Sequence, residues 1–71
     1  MKNRIAEFRK ALKMTQPQLA ELAKLPSYTV IQGYEHGRRS PSLESGIRLA
    51  RALNTTVEEL FELEDDDQTS P

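Results

Sequence analysis

The chain has no cysteine and no tryptophan, a single histidine, and only two tyrosines and two phenylalanines among its 71 residues. Without cysteine there is no disulfide framework and no thiolate metal site. One imidazole is too few for a histidine-based metal cluster. It also leaves His36 without a nucleophile and carboxylate to complete a hydrolytic triad, because the serines stand at caps and turns. No catalytic residue, cofactor or metal is expected. No apolar run approaches the roughly 20 residues needed to span a bilayer, and "MKNRIAEF" lacks the apolar stretch of a signal peptide. A cytoplasmic protein is expected, built as one small domain with a modest core. Strand-like alternation, internal repeats and glycine-rich phosphate loops are also missing.

The net charge of −1 conceals a strong asymmetry. All 10 Lys and Arg lie between Lys2 and Arg51, and up to Val57 only Glu7, Glu21, Glu35 and Glu44 oppose them, which leaves that stretch at +6. From Glu58 onward there are seven acids and no base. A basic body of this kind suits a polyanionic partner; a solvated surface with a solubilising tail is the plainer reading. The "EDDDQTSP" end has no apolar pattern, so a domain over 1–63 and an acidic disordered tail over 64–71 are expected. The acids from Glu62 to Asp67 lack the spaced ligands and turn glycine of a calcium loop.

What is present is helical periodicity. Ile5, Phe8 and Leu12 mark a first amphipathic helix from about Asn3 to Leu12. "TQPQ" at Thr15–Gln18 is a capping box with Pro17 in the first turn, opening a second helix whose inner stripe is Leu19, Leu22 and Ala23. Leu25 precedes Pro26 and is pushed off helical geometry. Ser27 caps a third helix that closes at His36–Gly37. Ser42 caps a fourth, with Leu43, Gly46, Ile47, Ala50 and Leu53 on one face and Leu49 beside them. "TVEE" at Thr56–Glu59 reads as a second capping box, opening a short fifth helix that carries Val57, Leu60 and Phe61. The fold class is all-α, a compact bundle of about five short helices.

The third helix, about 27–36 in "SYTVIQGYEHGRR", is unusual for its outer face. On a helical wheel Ser27, Ile31 and Tyr34 turn inward, whereas Thr29, Gln32, Gly33 and His36 turn outward, with Tyr28 and Val30 flanking them. A helix that serves only stability would avoid Gly33 and carry charge there. A helix lying in the major groove of double-stranded DNA needs short, hydrogen-bonding or methyl-bearing side chains, and Thr29 and Gln32 supply them. Gly33 then fits where a backbone approaches another surface closely. Arg38 and Arg39, next along the chain, would meet phosphates and set register, with His36 at the same end of the helix. An ordinary surface helix with a packing glycine satisfies the same pattern.

Taken together, Thr15–Gln16, Leu19–Ala20, Ile31, "YEHGRRSPSLE" and "LARALNTTVEELF" resemble the helix-turn-helix domain of the phage repressor and Cro-type family, often called Xre-like. The resemblance covers about Arg4 to Leu63 and rests on the order and spacing of motifs that are each only moderately specific. It implies a lambda-repressor-like DNA-binding domain whose second helix crosses the DNA backbone and whose third reads the major groove, in a transcriptional regulator that acts as a homodimer. It implies that Tyr28, Thr29, Gln32 and Gly33 face bases. Gln16 would meet a phosphate at the start of the second helix, and Arg38 and Arg39 would do so in the following loop. It also implies a structural ion pair between Arg9 and Glu35. Two departures stand out. The turn "KLPS" has no glycine and is about one residue longer than usual, and Gly33 replaces a position that often carries a base-reading side chain. The alternative is a protein-interaction module, an antitoxin or adaptor, on the same fold. Val57, Leu60, Phe61 and Leu63 exceed what a short terminal helix needs, so part of this surface is expected to be shared between two chains; the plainer reading is that Leu60 and Phe61 close the core of their own chain. No small-molecule ligand and no membrane partner is suggested.

Overall fold

A computed structural model describes residues 2–62. Leu63 and the acidic segment 64–71 lie outside the described residues. The order is β1 Lys2–Asn3, α1 Ile5–Ala11, α2 Gln16–Leu22, α3 Tyr28–Glu35, α4 Leu43–Ala52, α5 Val57–Leu60 and β2 Phe61–Glu62. Five helices surround a core in which Ile5, Leu19, Ile31, Leu49, Leu53 and Leu60 are fully buried, with Ala20, Ala23, Tyr34 and Ala50 filling the gaps. Every helix contributes to that set. Truncating any one of the six large side chains to Ala removes about 2–5 kcal/mol, a large share of the stability of so small a domain.

The boundaries follow from local chemistry. Thr15 accepts from the Gln18 backbone N–H at 3.2 Å while the Gln18 side chain accepts from the Thr15 N–H at 2.8 Å, a complete capping box. Thr56 caps α5 through the Glu59 N–H, but the Glu59 carboxylate takes the Thr55 hydroxyl at 2.8 Å. The second box is therefore only half formed: a neighbouring donor competes for the carboxylate. Four helices close alike, each with a left-handed residue after the cap and two hydrogen bonds back into the last turn. For α2 these run from Leu25 N–H to the Ala20 carbonyl and from Lys24 N–H to that of Glu21. The left-handed residues are Lys13, Lys24, Gly37 and Asn54, so only α3 ends on the residue that adopts this geometry without strain.

Three expectations need correction. The first helix does not begin at Asn3. Asn3 is instead in the two-residue strand β1, paired antiparallel with Phe61 as Lys2 is with Glu62, and the same pairing takes Phe61 out of the fifth helix into extended backbone. Its side chain accepts from the Ile5 N–H at 3.1 Å and donates to the Tyr34 carbonyl at 3.0 Å, contacts that fix it outside the helix. Leu12, Leu22 and Leu43, placed on inner stripes by periodicity, are 47%, 58% and 75% exposed. Each sits in the first or last turn of its helix or just beyond it, where the apolar stripe is no longer covered; in α2 Ala20 takes the inward position instead. Ser27 is exposed as well, since an extended cap does not follow the helical wheel.

Lys24 closes α2 at φ +59°. Replacing Lys24 with Gly removes the Cβ strain of the left-handed conformation, about 1–2 kcal/mol, and restores some unfolded-chain freedom. The expected net gain is about 0.5–1 kcal/mol, read as a rise of a few degrees in Tm by calorimetry. An unchanged or lower Tm would show that the turn holds no strain to relieve.

Candidate functional site

α3 is capped by Ser27, whose Oγ accepts from the Thr29 N–H at 3.0 Å and shares a hydrogen bond with the Thr29 hydroxyl. This tether orders the N-terminal turn. Ile31 and Tyr34 anchor the helix in the core. Tyr28, 46% exposed, and Thr29 lie in that first turn on the surface, and Gln32 is half-buried one turn further on. Val30 packs its side chain partly against the core. The outer face thus carries an aromatic hydroxyl, a threonine and a carboxamide and no charged group, the set of donors, acceptors and methyls that can read base edges.

Gly33 is not on that outer face. It is buried, and the side chain of Arg39 lies across it. A Cβ built on Gly33 would stand 2.6 Å from Arg39 Cδ and 2.8 Å from Cγ. The open glycine that the wheel suggested is covered because the chain turns back at Gly37, φ +75°, and lays the next residues along α3. The Gly33 carbonyl accepts from the N–H of Arg38 at 2.9 Å and of Arg39 at 3.2 Å. His36 is exposed at the C-terminal cap, with Nδ1 2.9 Å from the Gln32 carbonyl. Arg38 and Arg39 are exposed, and among the described residues neither has a carboxylate at ion-pair distance.

α1 and α2 hold α3 in place through one polar cluster. Arg9 Nε donates to Glu35 Oε2 at 2.7 Å and Nη2 to Oε1 at 3.3 Å, while Nη1 donates to the Met14 carbonyl at 2.8 Å. The two side chains are 12% and 8% exposed. Gln16, at the start of α2, donates through Nε2 to Glu35 Oε1 at 3.0 Å. One amide hydrogen of Gln16 is thereby held inward, and the second is left for any outside acceptor. Sequence reasoning treated Gln16 only as a surface contact and missed its place in this cluster. It also missed Asn3, whose spacing to Ile5 is the sole local hint of its tie to the α1 entrance. The Gly33–Arg39 contact spans six residues around a turn and has no periodic signal.

A helix-turn-helix family model matches residues 5–60. The chain is 43% identical over 67 residues to an uncharacterized HTH-type transcriptional regulator of Methanothermobacter thermautotrophicus, covering 93% of this chain and 96% of that protein. It is 37% identical over 60 residues to the cryptic phage CTXphi transcriptional repressor RstR of Vibrio cholerae, covering 84% of this chain and 53% of that one. Among solved structures it is similar to the restriction-modification controller protein C.AhdI from Aeromonas hydrophila, with a TM-score of 0.77 at 38% identity over 82% of this chain and 86% of the other.

Because the Arg9–Glu35 pair is largely withdrawn from water, Glu35→Gln leaves a buried guanidinium without its counter-charge, at an expected cost of about 3–5 kcal/mol. Urea denaturation measures it as a fall in midpoint at constant slope. A loss below about 1 kcal/mol would mean that the pair behaves as a surface one.

Proposed function

The chain belongs to the helix-turn-helix family, and from that premise we propose that it is a sequence-specific regulator of transcription that lays α3 in the major groove of double-stranded DNA. The observation that carries this reading is the uncharged, hydrogen-bonding outer face of α3, followed at once by the exposed Arg38 and Arg39. Tyr28, Thr29 and Gln32 are the proposed base readers. Arg38 and Arg39 take phosphates on one side of the helix, with His36 beside them, and Gln16 offers its second amide hydrogen on the α2 side. Gly33 is withdrawn from the base-reading set, since Arg39 covers it. Action by binding, in the cytoplasm and on the nucleoid, is the part of the proposal that rests on the family match; separately, no described helix is long and apolar enough to cross a membrane.

The homodimer belongs to the same proposal, with an amended surface. Leu60 is fully buried and closes the core of its own chain. Phe61 lies half-buried over Gly46, with Cε2 3.2 Å from the position of a Cβ there. Around it Pro41, Leu43 and Val57 line a shallow, mostly apolar depression of about 190 Å³. This face, with Leu43 75% exposed, suits a second copy related by a two-fold axis. Half-sites would lie roughly 34 Å apart, one helical turn of DNA.

Selection of bound sequences from a random duplex pool is the primary test: enrichment of a palindrome fits the proposal, and no enrichment removes it. On non-specific duplex, Arg38→Ala with Arg39→Ala weakens all sequences alike and lowers the salt slope by about 0.9 per lost phosphate contact. An unchanged slope would take the phosphate role away from both. Leu43→Glu leaves the core intact and, by sedimentation at micromolar concentration, converts dimer to monomer. A wild-type protein that is monomeric with and without DNA ends the dimer proposal, whereas one that retards no random duplex at low salt favours an adaptor whose apolar face meets another protein.

A further inference from the structure

Gly33 lies within an eight-residue helix, where glycine is a poorer choice than any residue but proline. Gly37 is the only described glycine with a positive φ, so Gly33 is not there for a left-handed backbone. What fills the place of the missing Cβ is Arg39, whose Cδ and Cγ occupy the space a side chain at 33 would take. Gly33 also fixes the start of that residue, because its carbonyl accepts from the Arg38 and Arg39 N–H groups.

We propose that Gly33 is a positioning residue, a seat cut into α3 that holds the stem of Arg39 and thereby aims its guanidinium at a phosphate bordering the groove in which α3 lies. This rests on the DNA-binding reading above and assigns the absence of a side chain at 33 a role in it. An exposed arginine loses rotamer freedom when it grips a phosphate, and that loss weakens the contact. Packing the stem over the bare Cα of Gly33 removes part of the freedom beforehand, while the charged head stays in water. Arg39 Cβ would be 3.5 Å from a Cβ at 33, ordinary contact, whereas Cγ and Cδ would clash. Gly33→Ala therefore displaces the stem beyond Cβ and spares the backbone.

The test is a double-mutant cycle of Gly33→Ala, Arg39→Ala and the pair, with Arg38→Ala as a second background, read by random-duplex affinity across a salt series and by Tm. The expected result is that Gly33→Ala weakens binding by a factor approaching that of Arg39→Ala and lowers the salt slope by up to about 0.9. It has no further effect once Arg39 is gone, and it adds to Arg38→Ala. Tm rises in the Arg39→Ala background, where only the gain in helix propensity remains. Equal loss of affinity with and without Arg39 overturns the proposal, and so does a fall of Tm in both backgrounds, which would make Gly33 a core-packing residue. If the wild-type protein fails to retard any duplex, the nucleic-acid reading falls and the phosphate role of Arg39 with it, while the Tm cycle still decides whether Gly33 seats the stem.

Discussion

Arg9 and Glu35 join α1 to α3 by two hydrogen bonds in surroundings largely closed to water. An ion pair so placed is costly to desolvate and is tolerable only when the remaining donors and acceptors are satisfied. Here they are: the third Arg9 donor takes the Met14 carbonyl beyond α1, and Gln16 brings in α2. Among the described residues no buried side-chain nitrogen or oxygen lacks a partner. The cluster defines where α3 sits relative to the two helices that precede it. An apolar contact at the same place would hold α3 about as firmly but would let it rotate, because hydrophobic attraction has no direction. A fork of donors on a carboxylate fixes the angle as well, and the angle decides which side chains of α3 reach outward.

Most of the helical plan was legible because it depends on short-range chemistry. Threonine and serine caps, the proline in the first turn of α2 and the glycine after α3 act over three or four residues, and the observed helices start and stop within two residues of the expected places. The outer face of α3 was legible for the same reason, through Thr29 and Gln32. The errors arose where distant segments compete. Asn3 is drawn out of α1 by Phe61 and Tyr34, far along the chain. Leu12, Leu22 and Leu43 belong to apolar stripes, yet nothing in the stripe tells which helix end is left uncovered. Gly33 misled because a wheel treats the helix as isolated, and the segment that covers it follows a reversal of direction.

Helix closure is uneven in a way that bears on the site. Lys13, Lys24 and Asn54 each hold a left-handed conformation with a side chain attached, and only the end of α3 uses glycine. The segment from Gly37 to Arg39 thus leaves α3 without backbone strain and is bonded at once to the Gly33 carbonyl. Those two hydrogen bonds tie the start of the basic loop to the helix that it flanks. In the Lys24–Ser27 turn that leads into α3, Leu25 packs against the core.

The pairing of Lys2–Asn3 with Phe61–Glu62, reinforced by the Arg4 N–H on the Leu60 carbonyl at 2.8 Å, has a consequence for how the protein is made. The entrance to α1 is completed by residues 60–62, almost a full domain later in the chain. While the chain is being synthesised, the early helices can flicker into existence within microseconds of emerging. They cannot settle until the last turn has cleared the ribosome, because every shorter nascent chain lacks Leu60 and leaves the core open on one side. At roughly 5–20 residues per second that interval lasts a few seconds, during which Ile5, Leu19 and Ile31 remain within reach of chaperones.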